Sequence, residues 1–294
     1  MAQDSKIEWT HHTANLWHGC TKVHEGCDNC YAETLSKRWG NDIWGNDKPR
    51  KEIKSVWNDL VKYQKLAAQA NEVHRVFVGS MMDIFEKPMP LVDSKGNEPT
   101  FINGYGEDVA LNTGDLRENL FDAIDKDMFP NLQFLLLTKR PSNINKYIPE
   151  GWKTNPPKNV MFGTSPVNQE TANKLIPQLL QVNGKRFLSV EPQLDLIDLT
   201  QLVMADSKER FDETFDCLTG FWINKLTTGI AANKKIDWVI QGGESGHHRR
   251  PFNLDWAYYM KQQCEAANVP YFFKQIDKVL PIPEDLLNRR FPTN

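Results

Sequence analysis

The chain has 294 residues, of which 40% are hydrophobic and 25% charged, and its formal net charge is −3. This composition is typical of a folded globular protein, and the net charge excludes a strongly basic nucleic-acid coat while allowing a local basic groove. The first ten residues lack the apolar core of a secretory signal, and no apolar run reaches the length of a bilayer span. We therefore expect a cytoplasmic protein with reduced cysteines.

The N-terminal part predicts one strand, a cysteine-rich segment and two helices. Lys6–Thr10 followed by Thr13–Trp17 predicts a first strand, which leads into the cysteine segment Trp17–Ala32. Apolar residues at helical spacing predict helices over Asn29–Trp39 and Val56–Asn71. Between them lies a predicted loop with a small basic edge formed by Lys48, Arg50 and Lys51.

The rest of the chain alternates short apolar runs with helical patterns. The runs are Arg75–Gly79, Gln133–Thr138, Val160–Thr164, Arg186–Val190, Asp237–Gln241 and Pro270–Lys274, and the helical candidates are Leu116–Asp125, Asn168–Gln181 and Leu254–Ala267. Such alternation predicts parallel βαβ units with strands buried on both faces. About seven units indicate an α/β fold with a parallel (β/α) barrel, complete or partial and TIM-like; a doubly wound open sheet is the alternative.

Two segments interrupt this alternation. Residues 87–114 are rich in Pro, Gly and Asn, and residues 200–235 are charged with helical patches. Long segments of this kind within a compact domain often form lids or partner contacts. We therefore predict one domain over residues 1–294, with both segments as insertions on one rim of the barrel.

Three of the five cysteines, Cys20, Cys27 and Cys30, are spaced C-x6-C-x2-C. Thiolates are soft ligands that select zinc or iron–sulfur clusters, and three ligands leave one coordination position open for chemistry. Three interpretations remain open: an iron–sulfur cluster with one free iron, zinc with His18 or His24 as fourth ligand, and unligated buried thiols.

Polar residues follow the predicted strands, at the ends where parallel barrels carry their active sites. They are Ser80, Met82, Asp83, Thr138, Lys139, Arg140, Thr164, Ser165, Ser189, Glu191, Gly242, Gly243, Glu244, Ser245, Lys274 and Gln275. We expect these groups and the cysteine segment to converge on one cavity, which favours an enzyme. Structural alternatives remain open: a turn cap for Asp83, and a plain strand-to-helix turn for the Gly-Gly-Glu-Ser run.

The motifs IEWTHHTANLWHGC, GCDNCYAE, FVGSMMDIF, LLLTKRP, FLSVEP, WVIQGGESG and FFKQ occur in this order. With them the chain resembles, over nearly its whole length, a phage- and prophage-associated three-cysteine family of unassigned function. That family is regarded as similar to radical S-adenosylmethionine (SAM) enzymes. Two features depart from the radical SAM pattern: the usual spacing is C-x3-C-x2-C, and the usual Gly-Gly-Glu follows an early strand rather than a late one.

The resemblance implies a [4Fe–4S] cluster held by Cys20, Cys27 and Cys30. SAM would chelate the open iron, and its reductive cleavage would give a 5′-deoxyadenosyl radical that abstracts a substrate hydrogen. The candidate catalytic residues are Asp83, Lys139 and Glu191. The candidate cofactor-binding residues are Ser80, Thr164, Ser189, Glu191, Gly242, Gly243, Glu244 and Ser245.

Three functions therefore compete. The first is a radical SAM enzyme in the cytoplasm of a bacterial host; the phage setting suggests a nucleobase, nucleoside or nucleic acid as substrate, with an electron donor and a partner protein from a neighbouring gene. The second is a zinc- or cluster-containing nucleic-acid-binding protein without radical chemistry, using Lys139, Arg140, Arg249 and Arg250 on phosphates. The third is a metal-dependent hydrolase, which the few histidines at strand ends disfavour.

Overall fold

The computed structural model describes residues 7–203, 213–223, 228–231, 234–245 and 248–292. The first elements are β1 (His12–Ala14), β2 (Trp17–His18), α1 (Tyr31–Arg38), β3 (Arg50–Glu52), α2 (Val56–Ala70), β4 (His74–Val78), β5 (Leu91–Val92), β6 (Thr100–Ile102), β7 (Asp108–Ala110), α3 (Thr113–Asp125) and β8 (Leu132–Thr138). They are followed by α4 (Ile144–Tyr147), β9 (Val160–Thr164), α5 (Gln169–Leu180), β10 (Lys185–Val190), β11 (Thr214–Asp216), β12 (Phe221–Ile223), β13 (Thr228–Ala231), β14 (Trp238–Gly242), α6 (Leu254–Ala266) and β15 (Tyr271–Gln275).

The principal sheet has seven strands in the order β1-β4-β8-β9-β10-β14-β15. Every pair in it for which a register is defined is parallel. The spatial order follows the chain order without the reversal that marks a doubly wound sheet. The predicted α/β class with a parallel sheet is therefore confirmed, and the doubly wound alternative is not what forms.

The first strand differs from its prediction. Residues 8 and 9 form a turn, in which the amide of Thr10 donates to the carbonyl of Ile7 at 3.1 Å, so residues 7–10 supply no strand, and Lys6 lies outside the described residues. The sheet strand is His12–Ala14, whereas Trp17 belongs to β2 and pairs antiparallel with β3. The apolar pattern there reflects burial of Trp9 and Trp17 in the core rather than a continuous strand.

Residues 1–138 and 145–160 form one compact unit, called unit 1 here. Its helix α2 packs against β1, β4 and β8. Val56, Leu60, Tyr63 and Ala67 recur at helical spacing and are all buried, because this stripe faces the strands. Asn71 ends the helix in the left-handed conformation, with φ of 54°.

Residues 139–144 and 161–294 form the second compact unit, unit 2. Strands β9, β10, β14 and β15 are parallel neighbours in it. Gly163 in β9 lies against the ring of Phe187, where an added Cβ would be 2.4 Å from ring carbons. Asn168 caps α5 reciprocally with Thr171.

The segments predicted as insertions contain small sheets of their own. Within 87–114, β5 joins the sheet β2-β3-β5, and β6 and β7 form an antiparallel hairpin. Within 200–235, β11, β12 and β13 form a three-stranded sheet, although 204–212, 224–227 and 232–233 lie outside the described residues. Across the described parts of the chain, no helix combines the length and apolar character needed to cross a membrane.

Candidate functional site

The cysteine segment connects β2 to α1 in unit 1. Cys20 follows β2, Cys27 ends a 3-10 helix over Glu25–Cys27, and Cys30 is the N-cap residue of α1. None of the three forms a disulfide, and all three are partly exposed, which contradicts the interpretation of these cysteines as buried core residues. Cys30 therefore lies directly before the first turn of α1.

Both ends of the segment are hydrogen-bonded to the loop that follows β4. The amide of Gly19 donates to the carbonyl of Met81 at 3.0 Å, and the hydroxyl of Tyr31 donates to the carbonyl of Ser80 at 2.7 Å. Asn15 contacts the same loop: its Nδ2 donates to Ser80 Oγ and its Oδ1 accepts from the amide of Met81, both at 2.8 Å. The predicted cofactor residue Ser80 thus anchors the cysteine segment.

A buried ion pair fixes the start of the segment. Arg50 and Glu86 have side chains 0% and 2% exposed, and Arg50 donates to both carboxylate oxygens, at 2.9 Å from Nε and 2.7 Å from Nη2. Nη2 also donates to Thr21 Oγ1 at 2.9 Å, next to Cys20. Nη1 donates to three backbone carbonyls, those of Ile43, Gly45 and Lys48. The predicted basic edge is therefore wrong for Arg50, which holds the loop together from inside.

Gly19 makes this arrangement possible. Its φ is +113°, and an added Cβ would lie 2.4 Å from the carbonyl oxygen of Ile43 and 2.8 Å from Cδ of Arg50. Only glycine adopts this conformation without strain and leaves room for the aliphatic part of the Arg50 side chain. The residue before Cys20 is therefore fixed by packing against Arg50.

The donor set suits a soft metal centre, because three thiols that form no disulfide lie on one short segment. Nevertheless, in the part of the chain that the structure describes, no group of three or more His, Cys, Asp or Glu side chains is arranged to hold a metal ion. His24, a candidate zinc ligand, accepts a hydrogen bond at Nδ1 from the amide of Gly26. The other, His18, stacks on Trp39, and burial, followed by the charge of Lys51, lowers its pKa to about 4.

Asp83 and Thr138 come together at strand ends of unit 1. Asp83 Oδ1 accepts from Thr138 Oγ1 at 2.7 Å and from the amide of Phe85 at 3.0 Å, and both polar residues are buried. The bond to Phe85 caps the local turn, as one interpretation expected, and the bond to Thr138 joins the ends of β4 and β8. The catalytic role of Asp83 stays a prediction.

Glu191 and Lys274 form an ion pair at strand ends of unit 2. Lys274 Nζ lies 2.5 Å from Glu191 Oε1, and Gln275 Nε2 donates to the same oxygen at 3.2 Å. Gln275 also donates to the carbonyl of Gly243 at 3.0 Å. Glu191 precedes a cis peptide bond to Pro192. The structure thus joins the ends of β10, β14 and β15 through one polar cluster.

Glu244, which was predicted to bind the cofactor, forms an ion pair with Arg250 in the structure. Its carboxylate, 6% exposed, binds the guanidinium of Arg250 at 2.5 Å and accepts from the backbone amide of Arg250 at 2.8 Å. Gly243 is required by packing, because an added Cβ would lie 2.1 Å from the carbonyl oxygen of Ile276. Gly242 has a similar but looser contact with Gln275, at 3.3 Å.

The remaining candidates differ in exposure. Thr164 and Ser189 are buried in their strands, and Ser165 is buried just after β9. Lys139, Arg140 and Ser245 are partly exposed. Their roles in catalysis or cofactor binding, and the convergence of all candidates on one cavity, stay predictions. Reasoning from the sequence did not predict that Asn15, Arg50 and Glu86 hold the cysteine segment in place. The sequence shows that Arg50 and Glu86 carry opposite charges, but it does not show that they pair.

Together these observations define the class: an α/β protein with a sequentially ordered parallel sheet and a three-cysteine segment between β2 and α1. The model of the family described as "Protein of unknown function (DUF5131)" matches residues 4–95 and 107–284, so the chain belongs to this family. The unmatched residues between these ranges fall in and around the hairpin β6–β7. A comparison with curated proteins and another with solved structures gave no match. The expected membership of a family of unassigned function is thereby confirmed.

Proposed function

We propose that this protein is an iron–sulfur enzyme of radical SAM type, built on a partial, TIM-like (β/α) barrel. The observation that carries the proposal is the placement of three partly exposed cysteines, none of them in a disulfide, on one segment whose two ends are anchored. The sequential order of the parallel strands supports a barrel-type arrangement. A cytoplasmic location, where thiols stay reduced, belongs to the same proposal.

Cys20, Cys27 and Cys30 would hold a [4Fe–4S] cluster, with S-adenosyl-L-methionine as the second cofactor. Bound there, the two would supply a reductively generated 5′-deoxyadenosyl radical for hydrogen abstraction from a substrate. The chain's own contribution begins with Arg50, which fixes the residues beside Cys20 through Thr21 and Gly45.

Catalytic roles for Asp83, Lys139 and Glu191 belong to this proposal. Buried Asp83 would orient a polar group of the substrate, and Lys139 would bind an anionic one. The proposed substrate class is a nucleobase, nucleoside or nucleic acid, which rests on the phage association that the sequence motifs imply. An external electron donor is needed, and a protein from a neighbouring gene is the proposed partner.

The test is anaerobic reconstitution with iron and sulfide, followed by EPR spectroscopy of the reduced protein with and without SAM. We expect a four-iron cluster whose spectrum changes when SAM is added, and formation of 5′-deoxyadenosine. Cys20→Ala, Cys27→Ala and Cys30→Ala should each abolish the SAM-dependent signal. Cys264→Ala is the matched control, because this cysteine is 0% exposed in the core and should leave cluster assembly unchanged.

A protein that retains one zinc ion and takes up no sulfide would refute the radical proposal. The competing nucleic-acid-binding function used Arg249 and Arg250 on phosphates. Both residues form ion pairs, Arg249 with Asp277 at 2.9 Å and Arg250 with Glu244 at 2.5 Å. These carboxylates already bind the two guanidinium groups, whereas Lys139 and Arg140, which the competing function also used, are partly exposed. The nucleic-acid-binding function therefore stays the alternative proposal.

A further inference from the structure

We propose that strand β6 pairs with the β6 strand of a second copy of this chain, so that the two hairpins β6–β7 form one four-stranded antiparallel sheet. The hairpin lies in unit 1, and every residue of its two strands is exposed. Strand β6 and the turn after it lie between the two stretches that the family model matches, so they are additions to the fold that the family shares. This inference goes beyond the proposed function and does not depend on the cysteine segment.

The hairpin is held at both ends by its own hydrogen bonds. In the turn, Asn103 Oδ1 accepts from the amides of Tyr105 at 2.9 Å and Glu107 at 3.0 Å, and Asn103 Nδ2 donates to Glu107 Oε2 at 2.9 Å. At the base, the amide of Leu111 donates to the carbonyl of Pro99 at 2.8 Å. The edge of β6 is therefore defined in advance, and little conformational freedom is lost when another strand binds to it.

The outer edge of β6 carries a self-complementary set of backbone groups. Among the residues that the structure describes, β6 pairs only with β7, in a register that places Phe101 opposite Val109. Hydrogen-bonded pairs recur at every second residue of an antiparallel ladder, so the bond at the base of the hairpin makes Phe101 and Val109 the next such pair. Thr100 and Ile102 therefore direct their amides and carbonyls away from β7, toward the outer edge.

A two-fold axis at Phe101 satisfies this edge. It places Thr100 of each copy opposite Ile102 of the other, so that every outward amide and carbonyl of these residues finds a partner. The two Phe101 side chains lie opposite each other on one face of the sheet, and Val109 continues this apolar row on both sides. Ile102 and Phe101, which are 67% and 41% exposed in the single chain, lose contact with water in the pair.

The distribution of charge favours a second copy as the partner. Strand β6 contains no charged residue, whereas β7 begins with Asp108, directly after Glu107. In the order β7-β6-β6-β7 the two acidic strands are three strand spacings apart, about 14 Å, which exceeds the ~8 Å screening length at physiological salt. Repulsion across the interface is therefore weak, and acidic side chains on both outer strands oppose further strand addition. A strand from a basic protein would instead be attracted to β7.

Sedimentation velocity of the full chain over about a hundredfold range of protein concentration tests the pairing. Ile102→Pro removes an outward amide but no hydrogen bond of the hairpin, and Ala110→Pro, on the outer edge of β7, is its matched control. Phe101→Lys places two ammonium groups opposite each other at the axis, and Val109→Lys, which adds the same charge on β7, is its control.

We expect a monomer–dimer equilibrium for the wild type. Ile102→Pro and Phe101→Lys should weaken the dissociation constant by about tenfold or more, and the two controls by less than about threefold. Melting temperatures verify that each variant is folded.

A shortened chain gives an independent measurement. Because the amide of Leu111 and the carbonyl of Pro99 are 2.8 Å apart, a two-residue Asn-Gly turn can replace residues 100–110. We expect this chain to be monomeric at every concentration and to take up iron and sulfide as the wild type does, because the hairpin is exposed and lies outside the core.

A wild type that stays monomeric at every concentration would overturn the pairing and leave the edge of β6 to a strand from a different protein. A dimer that persists in Ile102→Pro and in the shortened chain would also overturn it, because such a dimer uses another surface. Growth beyond a dimer would contradict closure at one two-fold axis. Failure of the proposed function is read separately, from iron and sulfide content.

Discussion

Two ion pairs, one in each compact unit, both join a carboxylate to a basic side chain, but they differ in burial and in the number of hydrogen bonds that they make. Arg50–Glu86 in unit 1 is 0% and 2% exposed, and the guanidinium donates to two side chains and three carbonyls. Glu191–Lys274 in unit 2 is 18% and 13% exposed and leaves one oxygen without a partner among the described residues. The first pair is saturated and positions a loop, whereas the second joins strand ends and still contacts solvent.

The difference follows from the cost of removing charge from water. A fully buried ion pair is tolerated only when further hydrogen bonds replace the lost hydration, so the site that holds Arg50 must satisfy its donors. A pair that still contacts solvent keeps part of its hydration and needs fewer hydrogen bonds from the protein. The degree of burial therefore decides how many hydrogen bonds each pair makes within the protein.

The largest expected effect comes from breaking the buried pair. Glu86→Ala leaves the Arg50 guanidinium buried without its counter-charge, and we expect the free energy of unfolding to fall by about 3–5 kcal/mol. Urea denaturation of the wild type and variant measures it. Asp122→Asn, which breaks the exposed pair with Lys126, is the control and should cost less than about 0.5 kcal/mol. A loss below about 1 kcal/mol for Glu86→Ala would show that the pair does not hold the loop.

The next largest loss of stability is expected from overpacking at Gly243, which follows β14. Gly243→Ala places a methyl group 2.1 Å from the carbonyl oxygen of Ile276, and we expect a loss of about 1–3 kcal/mol from overpacking. Gly151→Ala is the matched control, because nothing lies within 4 Å of its added Cβ. Thermal unfolding of both variants gives the comparison. Equal melting temperatures for the two variants would refute the close packing at the end of β14.

Breaking the second ion pair should cost less than breaking the first. Lys274→Met leaves the carboxylate of Glu191, 18% exposed, without its counter-charge, and we expect the free energy of unfolding to fall by about 1–3 kcal/mol. Calorimetric unfolding of the variant measures it. A loss as large as that of Glu86→Ala would remove the distinction between the two pairs.

A cluster of histidines in unit 1 extends the comparison to a group that changes charge with pH. His11 stacks on His74, and burial, then Arg75 and the other histidines, lowers the pKa of His11 to about 4 from 6.5. Charged or titratable groups around this cluster are His12, Tyr63, Glu72, His74 and Arg75. Because the unfolded chain takes up the proton near pH 6.5 and the folded one near pH 4, stability is full above about pH 6.5 and falls toward pH 4.

Replacing His11 tests this pH dependence. The partial exposure of His11 limits its share to on the order of 1 kcal/mol. We expect His11→Gln to lose about that much less stability than the wild type between pH 7 and pH 4.5. Urea denaturation at both pH values measures the difference. Parallel pH profiles for the two proteins would show that His11 does not carry the effect.

The spacing of apolar residues predicted the helices well, because it depends only on residues within a few turns of one another. Helix α2 was expected over Val56–Asn71 and spans Val56–Ala70, and α6 was expected over Leu254–Ala267 and spans Leu254–Ala266. The first strand was misplaced, since buried tryptophans in a turn and a short antiparallel strand give the same apolar signal as one sheet strand.

The sequence by itself determined the α/β class, the parallel strands and the clustering of three cysteines, because each of these features follows from the pattern of residues that are close together along the chain. Only the tertiary structure decided which charges meet. Arg50 and Glu86 are 36 positions apart, and Glu191 and Lys274 are 83 apart. Such partners depend on how the strands are ordered in space, and side-chain burial, which separates the two pairs, exists only once the chain has folded.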